Sequence, residues 1–260
     1  MISMPEAGNA QMKCKDFYSI QCTVDNIACQ QEAIIEWLSA SDKQRIVTFI
    51  NPHVYNHAMG DPILWELLNR SDINSIDGVG IKLGFLLKNF RSYPRTIMTY
   101  LFEQVLFCKL TPRINAILIG TSQEEVSRAA NYINVSSTSL YIEAHYHGFH
   151  DLDYYISEIA NSPTVKAVLI GMSTPKSEHL MHKLTQSAKN IIVWHIGGGT
   201  IKCFADTKRR SPVWLSKIGF EWIHRVFFEP HLINRYILGI PLFIYHILRS
   251  GTRTRVERSH

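Results

Sequence analysis

Two runs in this chain, Ala116-Ile117-Leu118-Ile119-Gly120 and Ala167-Val168-Leu169-Ile170-Gly171, contain no polar side chain. A strand with one wet face alternates polar and apolar residues, whereas a strand apolar at every position must be covered on both faces. Strand-like segments are read at 45–50, 114–120, 139–145, 165–171 and 190–196. Helix-length segments lie between them, near 62–70, 79–90, 96–109, 122–134, 151–161 and 175–188. A further amphipathic helix is expected over 30–39, introduced by Asp25-Asn26. Asp61-Pro62 and Thr174-Pro175 read as helix openings, because proline at the first helical position forfeits no hydrogen bond. Strand–helix alternation with right-handed crossovers predicts an α/β, Rossmann-like layered fold with a mostly parallel sheet. Residues 1–20 lack periodicity and read as a loose leader. Residues 21–207 read as the α/β core, and 208–260 as a basic, aromatic, amphipathic helical appendage.

Ligands in such sheets bind beyond the carboxyl ends of the strands, which selects the loops after Ile50, Gly120, His145, Gly171 and Ile196. Asn51 follows the first core strand and suits either a sugar or phosphate contact or an Asx turn. Asp77, before a glycine turn, is either a helix cap or a general base. The run Gly78-Val79-Gly80-Ile81-Lys82-Leu83-Gly84 imitates a dinucleotide fingerprint, but its third glycine is one residue late and no long strand precedes it. At Lys176-Ser177-Glu178 a helix start offers free N–H groups to phosphate, and Lys176 adds charge. At Gly197-Gly198-Gly199-Thr200, three successive glycines let backbone approach a ligand, which reads as a phosphate-binding turn.

Two groups imitate metal sites. Glu143, His145, His147 and His150 have ligand-like spacing, and Asp151-Leu152-Asp153 resembles a metal-holding carboxylate pair. No cysteine accompanies the histidines and Asp151 stands where a helix cap belongs, so both are read as structural. No metal and no cofactor is assigned. A hydrolase is excluded because no G-x-S-x-G elbow exists.

The net charge of +5 is unevenly placed. From Lys208 onward ten Lys/Arg face three Asp/Glu, while the first 207 residues carry 17 against 19. A basic tail on a slightly acidic body argues against nucleic acid as partner and for anionic lipid or phosphate. Five scattered cysteines without a CxxC read as reduced thiols. No signal peptide is visible at the start. The longest uncharged apolar segment, 236–248, is too short to span a bilayer and is interrupted by Gly239 and Pro241. Residues 214–236, WLSKIGFEWIHRVFFEPHLINRY, mix large rings with basic residues, as an interfacial helix does. Removing 208–260 is expected to leave a folded core that no longer binds vesicles.

Taken in order, Asn51, Asp77-Gly78-Val79-Gly80, Leu118-Ile119-Gly120, Tyr146-His147-Gly148-Phe149 and Pro175-Lys176-Ser177-Glu178 resemble the signature of the WecG/TagA/CpsF glycosyltransferases. The series continues with Gly198-Gly199-Thr200, Arg209-Arg210-Ser211-Pro212, Gly219-Phe220-Glu221-Trp222-Ile223-His224-Arg225, Glu229-Pro230 and Arg235-Tyr236, covering roughly residues 20–240. The resemblance implies an inverting transferase on the inner face of the bacterial cytoplasmic membrane. It would move a sugar from a nucleotide-sugar donor (a UDP-linked hexose, N-acetylhexosamine or uronic acid) to a polyprenyl-diphosphate-linked saccharide. The products would be exopolysaccharide, capsule, teichoic acid or lipopolysaccharide. It makes Asp77 the general base, and Asn51 and Thr48 pocket residues. Lys176, Ser177, Glu178, Gly198, Gly199 and Thr200 become substrate contacts, and Arg225 and Arg235 close the site over the diphosphate. An anionic membrane surface is the implied partner, and an oligomer is compatible with the chain.

The chain departs from the family pattern at several places. Ser177 stands where Gln is common, Lys202 where Asp is, and Leu232 where a third tail arginine is. The Arg-x-x-Gly-x-Asp motif reads Arg95-Thr96-Ile97-Met98-Thr99-Tyr100, and Phe49 takes the position of a pocket Thr, displaced here to Thr48. These changes bear on donor identity. A family member that binds sugar without transferring it is the alternative, and a nicotinamide oxidoreductase rests only on the glycine runs.

Overall fold

The computed structural model of the protein describes residues 12–40, 43–187, 190–206, 227, 233 and 237–256. Eight strands form one sheet: β1 (Cys14–Phe17), β2 (Ile20–Thr23), β3 (Arg45–Ile50), β4 (Ile73–Ile76), β5 (Ile114–Gly120), β6 (Leu140–Tyr146), β7 (Ala167–Gly171) and β8 (Ile192–His195). Their order is β1-β2-β4-β3-β8-β7-β5-β6. Every neighbouring pair is parallel except the β1–β2 hairpin. The described helices are α1 (Ile27–Ala40), α2 (Pro52–Ala58), α3 (Pro62–Arg70), α4 (Val79–Asn89), α5 (Met98–Leu106), α6 (Gln123–Ser136), α7 (Leu152–Ala160), α8 (Lys176–Ser187), α9 (Gly198–Phe204) and α10 (Gly239–Val256). This is the expected α/β layered fold with a mostly parallel sheet.

Both faces of the sheet are covered, as its all-apolar strands require. One core joins Ile46, Ile117, Val168 and Val193 to Leu67 of α3, Tyr155 of α7 and Leu180 and Leu184 of α8. The larger core, on Val47, Leu118, Leu169 and Trp194, takes in α1, α5, α6 and α9. Caps follow the sequence. Asn26 Oδ1 accepts from Cys29 N–H, Asp61 accepts from Ile63 and Leu64, and Ser122 with Glu125 closes a capping box on α6. At Thr174-Pro175 the reading differs, because α8 begins at Lys176 and the proline lies outside the helix.

The segment expected to be a loose leader is corrected at its far end, where Cys14 to Phe17 pairs with β2. Phe17 is fully buried against Phe85, Tyr55 and Phe243. Besides β1 and β2, the sequence reading lacked α2 and the short strand β4. The strand carries Asn74 and Ser75, both buried. Most of their polar atoms find partners elsewhere: Asn74 N–H donates to Thr23 Oγ1 and its Nδ2 to Gln21 O, leaving Oδ1 unpaired, and Ser75 donates to Gln30 Oε1.

The glycines of α4 are packing residues. A Cβ at Gly80 would lie 2.4 Å from Pro52 Cγ, and one at Gly84 would lie 2.6 Å from the Phe17 ring. Spaced four apart, they share one helix face, and Phe243 and Ile247 of α10 lie against the same two positions. The fingerprint-like run therefore has a purely steric reason. All five cysteines are free thiols.

Candidate active site

The carboxyl ends of β3, β4, β5, β7 and β8 bring their loops to one edge of the sheet. Asn51 caps α2, with its Oδ1 accepting from Val54 N–H at 3.0 Å. That is the Asx turn anticipated from sequence, and it leaves the amide nitrogen of Asn51 outside the turn. Asp77 follows β4, and its N–H donates to Ile50 O at 2.9 Å. The N-cap of α4 is Gly78 (φ +94°), which puts Asp77 before the cap position rather than in it. Gly78 abuts Asn51, with an added Cβ only 3.7 Å from that residue's own Cβ. The structure thus brings the Asp77 turn and the Asn51 turn side by side.

On the other side of β3 lies β8. Val47 pairs with Trp194, so Thr48 and His195, each one residue further on, project to the same face. Thr48 is fully buried, and its hydroxyl finds no hydrogen-bond partner. Phe49 stacks on the His195 ring at 4.6 Å between centroids. Beneath them Glu178 is fully buried, with Oε1 accepting from Thr174 Oγ1 at 2.9 Å and lying 3.5 Å from His195 Nδ1. Ser177 is also buried, with its Oγ unpaired, as are Glu178 Oε2 and His195 Nδ1. Four side chains on one side of the sheet thus retain unused hydrogen-bonding capacity, which is costly in a dry interior.

His195 was not singled out by sequence reasoning. The available signal was a histidine ending the otherwise apolar run Ile192-Val193-Trp194. Burial depresses its pKa below the ordinary 6.5, against the opposing pull of Glu178. The folded protein therefore resists protonation there, while the unfolded chain accepts a proton as pH falls through 6.5. Stability contributed by the neutral ring is present above that value and is lost on acidification. Burial lowers His145 and His246 in the same sense. The melting temperature should fall between pH 7.5 and pH 5, and fall less steeply in His195→Gln. Parallel slopes for the two proteins would remove His195 from this role.

The remaining predicted residues divide by their engagements. Lys176 Nζ donates to Gly148 O at 3.0 Å and His150 O at 2.7 Å, so it ties down the loop after β6 and retains one donor. Thr200 is buried, and its hydroxyl donates to Ile196 O while meeting Thr99 Oγ1 at 2.9 Å. Its side chain joins α9 to α5. A Cβ on Gly198 would lie 2.9 Å from Gly171 O, and one on Gly120 would lie 2.3 Å from that same oxygen. These glycines therefore allow close backbone packing of the β5, β7 and β8 ends, beside which Gly199 continues α9. Arg225 and Arg235 lie outside the described residues, as do most of the 214–236 segment and Leu232.

The imitation metal groups are engaged elsewhere. Glu143 accepts from Asn115 and Thr164, and His145 meets Ser127 Oγ at 3.0 Å. His147 stacks on His150, which stacks on Tyr154, and Asp153 pairs with Lys183. Asp151 occupies the N-cap of α7 without a side-chain capping bond.

The arrangement offers a carboxylate beside a polar turn, with buried polar groups one strand away. Such a set can deprotonate a hydroxyl and hold a polar, anionic substrate. Known proteins resemble the chain over most of its length. It is 26% identical over 222 residues to the N-acetylglucosaminyldiphosphoundecaprenol N-acetyl-beta-D-mannosaminyltransferase of Staphylococcus aureus strain NCTC 8325, covering 83% of this chain and 84% of that protein. Its likeness to the enzyme of the same name from strain MRSA252 is 26% over 217 residues, with the same two coverages. The model of the glycosyl transferase WecG/TagA/CpsF family matches residues 17–257, and the chain belongs to that family of glycosyltransferases.

Proposed function

We propose that this protein transfers a sugar, with inversion, from a nucleotide-sugar donor to a polyprenyl-diphosphate-linked saccharide. The assigned donor class is a UDP-linked hexose, N-acetylhexosamine or uronic acid. The observation that carries the reading is the position of Asp77, at a strand's carboxyl end beside Asn51 and one residue before the cap of α4. There it acts as general base on the acceptor hydroxyl while Asn51 orients a sugar. The names of the related staphylococcal enzymes support the acceptor class, since they act on N-acetylglucosaminyldiphosphoundecaprenol. In this reading Arg225 and Arg235 bind the diphosphate, for which arginine's fixed fork of donors is suited.

Phe49, stacked on His195, puts an aromatic ring where the family pattern has Thr, and Ser177, where Gln is common, is fully buried. Donor choice is therefore set by this chain's own side chains. Incubation with a panel of UDP-sugars and a polyprenyl-diphosphate-linked N-acetylglucosamine should give one disaccharide-lipid whose new linkage, by NMR, is inverted relative to the donor. A retained anomer overturns the single-displacement reading. Tight donor binding with no product from any combination assigns the protein to binding without transfer.

A further inference from the structure

We propose that the outward face of α4 lies on an anionic bilayer together with α10, so that the body of the enzyme, and not its C-terminal segment alone, forms the membrane contact. This deepens the lipid-linked-acceptor reading above and rests on it for its biological meaning. The buried face of α4 is Ile81, Gly84 and Phe85. Opposite it, Leu83, Leu86, Leu87 and Phe90 form a stripe at helical spacing, with Leu87 72% and Phe90 88% exposed. Phe90 is doubly disfavoured as a solvent residue. Its ring is in water, and its backbone holds the left-handed cap conformation (φ +55°) that glycine or asparagine ordinarily takes.

α10 extends the surface. Phe243 and Ile247 seat it against the Gly80 and Gly84 positions in that order, so the two helices run side by side in one direction. Its outward residues Leu242, Tyr245 and Leu248 are exposed. The charges carried by the two helices themselves are cationic. Residues 78–102 contain Lys82, Lys88, Arg91 and Arg95 and no Asp or Glu, and Arg249 is the charged side chain described on α10. Lys82 and Arg91 are exposed, while Lys88 pairs with Asp16 of β1. Exposed apolar stripes on two neighbouring helices, with Lys82 and Arg91 exposed beside them and Asp16 already paired with Lys88, fit a bilayer carrying acidic headgroups better than a protein partner of mixed charge. The geometry also has a mechanistic consequence. α4 starts two residues after Asp77, so a bilayer touching α4 brings the sheet edge with Asp77 toward the headgroup depth at which a lipid-linked diphosphate sits.

The test compares full-length protein with Leu87→Glu/Phe90→Glu in co-sedimentation with phosphatidylcholine vesicles holding phosphatidylglycerol, without substrate. The variant should bind at least about tenfold more weakly, because two apolar anchors are lost and two anions face an anionic surface. Its circular dichroism melt should be unchanged, and parent binding should weaken at high salt. Unchanged vesicle binding overturns the proposal. If binding is unchanged and size-exclusion chromatography shows the variant shifting to a smaller species, the stripe is a contact between copies. If binding is unchanged and the melt drops, another segment of this chain covers it. Because no sugar is transferred in this assay, its outcome is independent of the donor and acceptor assignment, which the product analysis decides separately.

Discussion

Asp77→Asn should fold like the parent and transfer sugar on the order of 10²–10⁴-fold more slowly, the usual scale for losing a positioned general base. The amide keeps the shape and hydrogen-bonding span of the carboxylate but cannot take the acceptor's proton. The Asp77 N–H bond to Ile50 O and the Gly78 N-cap of α4 are made by the backbone, and the isosteric amide preserves the local shape, so the melting temperature should move little. The measurement is initial rate at saturating donor and acceptor, alongside a thermal melt. Transfer at the parental rate would reassign Asp77 to a structural role. A large loss of stability with a matching loss of rate would do the same.

Phe243→Ala should destabilise the whole protein by about 3–5 kcal/mol, read as a shift in urea midpoint. The expectation from sequence was that residues 208–260 could be removed to leave an intact core. The structure changes that expectation for α10. Phe243 is 4% exposed, stacks on Phe17 and meets Tyr55 edge-on, and Asn56 Nδ2 donates to Gly239 O at 2.7 Å. Truncation before Gly239 would uncover Phe17, Tyr55 and the Gly80–Gly84 face of α4 together, so a shortened chain should aggregate or melt at lower temperature. A chain ending before residue 239 that melts like the full protein would return α10 to the status of a separable appendage.

The prediction also bears on how the C-terminal segment would act. A helix that shares the core with Phe17 and Tyr55 on one face, and presents Leu242, Tyr245 and Leu248 on the other, couples any surface it touches to α4. α4 in turn begins beside Asp77 and Asn51. No described helix is long and apolar enough to cross a membrane.

What could be read from the chain alone was whatever is encoded locally. The apolar runs at β5 and β7 identify doubly covered strands, because apolar side chains alternating to both faces leave no face for water. Asp61-Pro62 marks a helix start, since its bonds close within three residues. The order of the family motifs was likewise legible. β4 was not, because Asn74 and Ser75 look like solvent residues until Gln21, Thr23 and Gln30, 45 or more positions earlier, take up their donors. Nor could sequence say that Gly80 and Gly84 are spaced for Pro52, Phe17 and α10 rather than for a dinucleotide. The meeting of Phe49, Glu178 and His195 depends on β8 inserting between β3 and β7. Strand order is decided by which apolar faces the crossover helices can cover at once. That property belongs to the assembled sheet, and no single segment carries it.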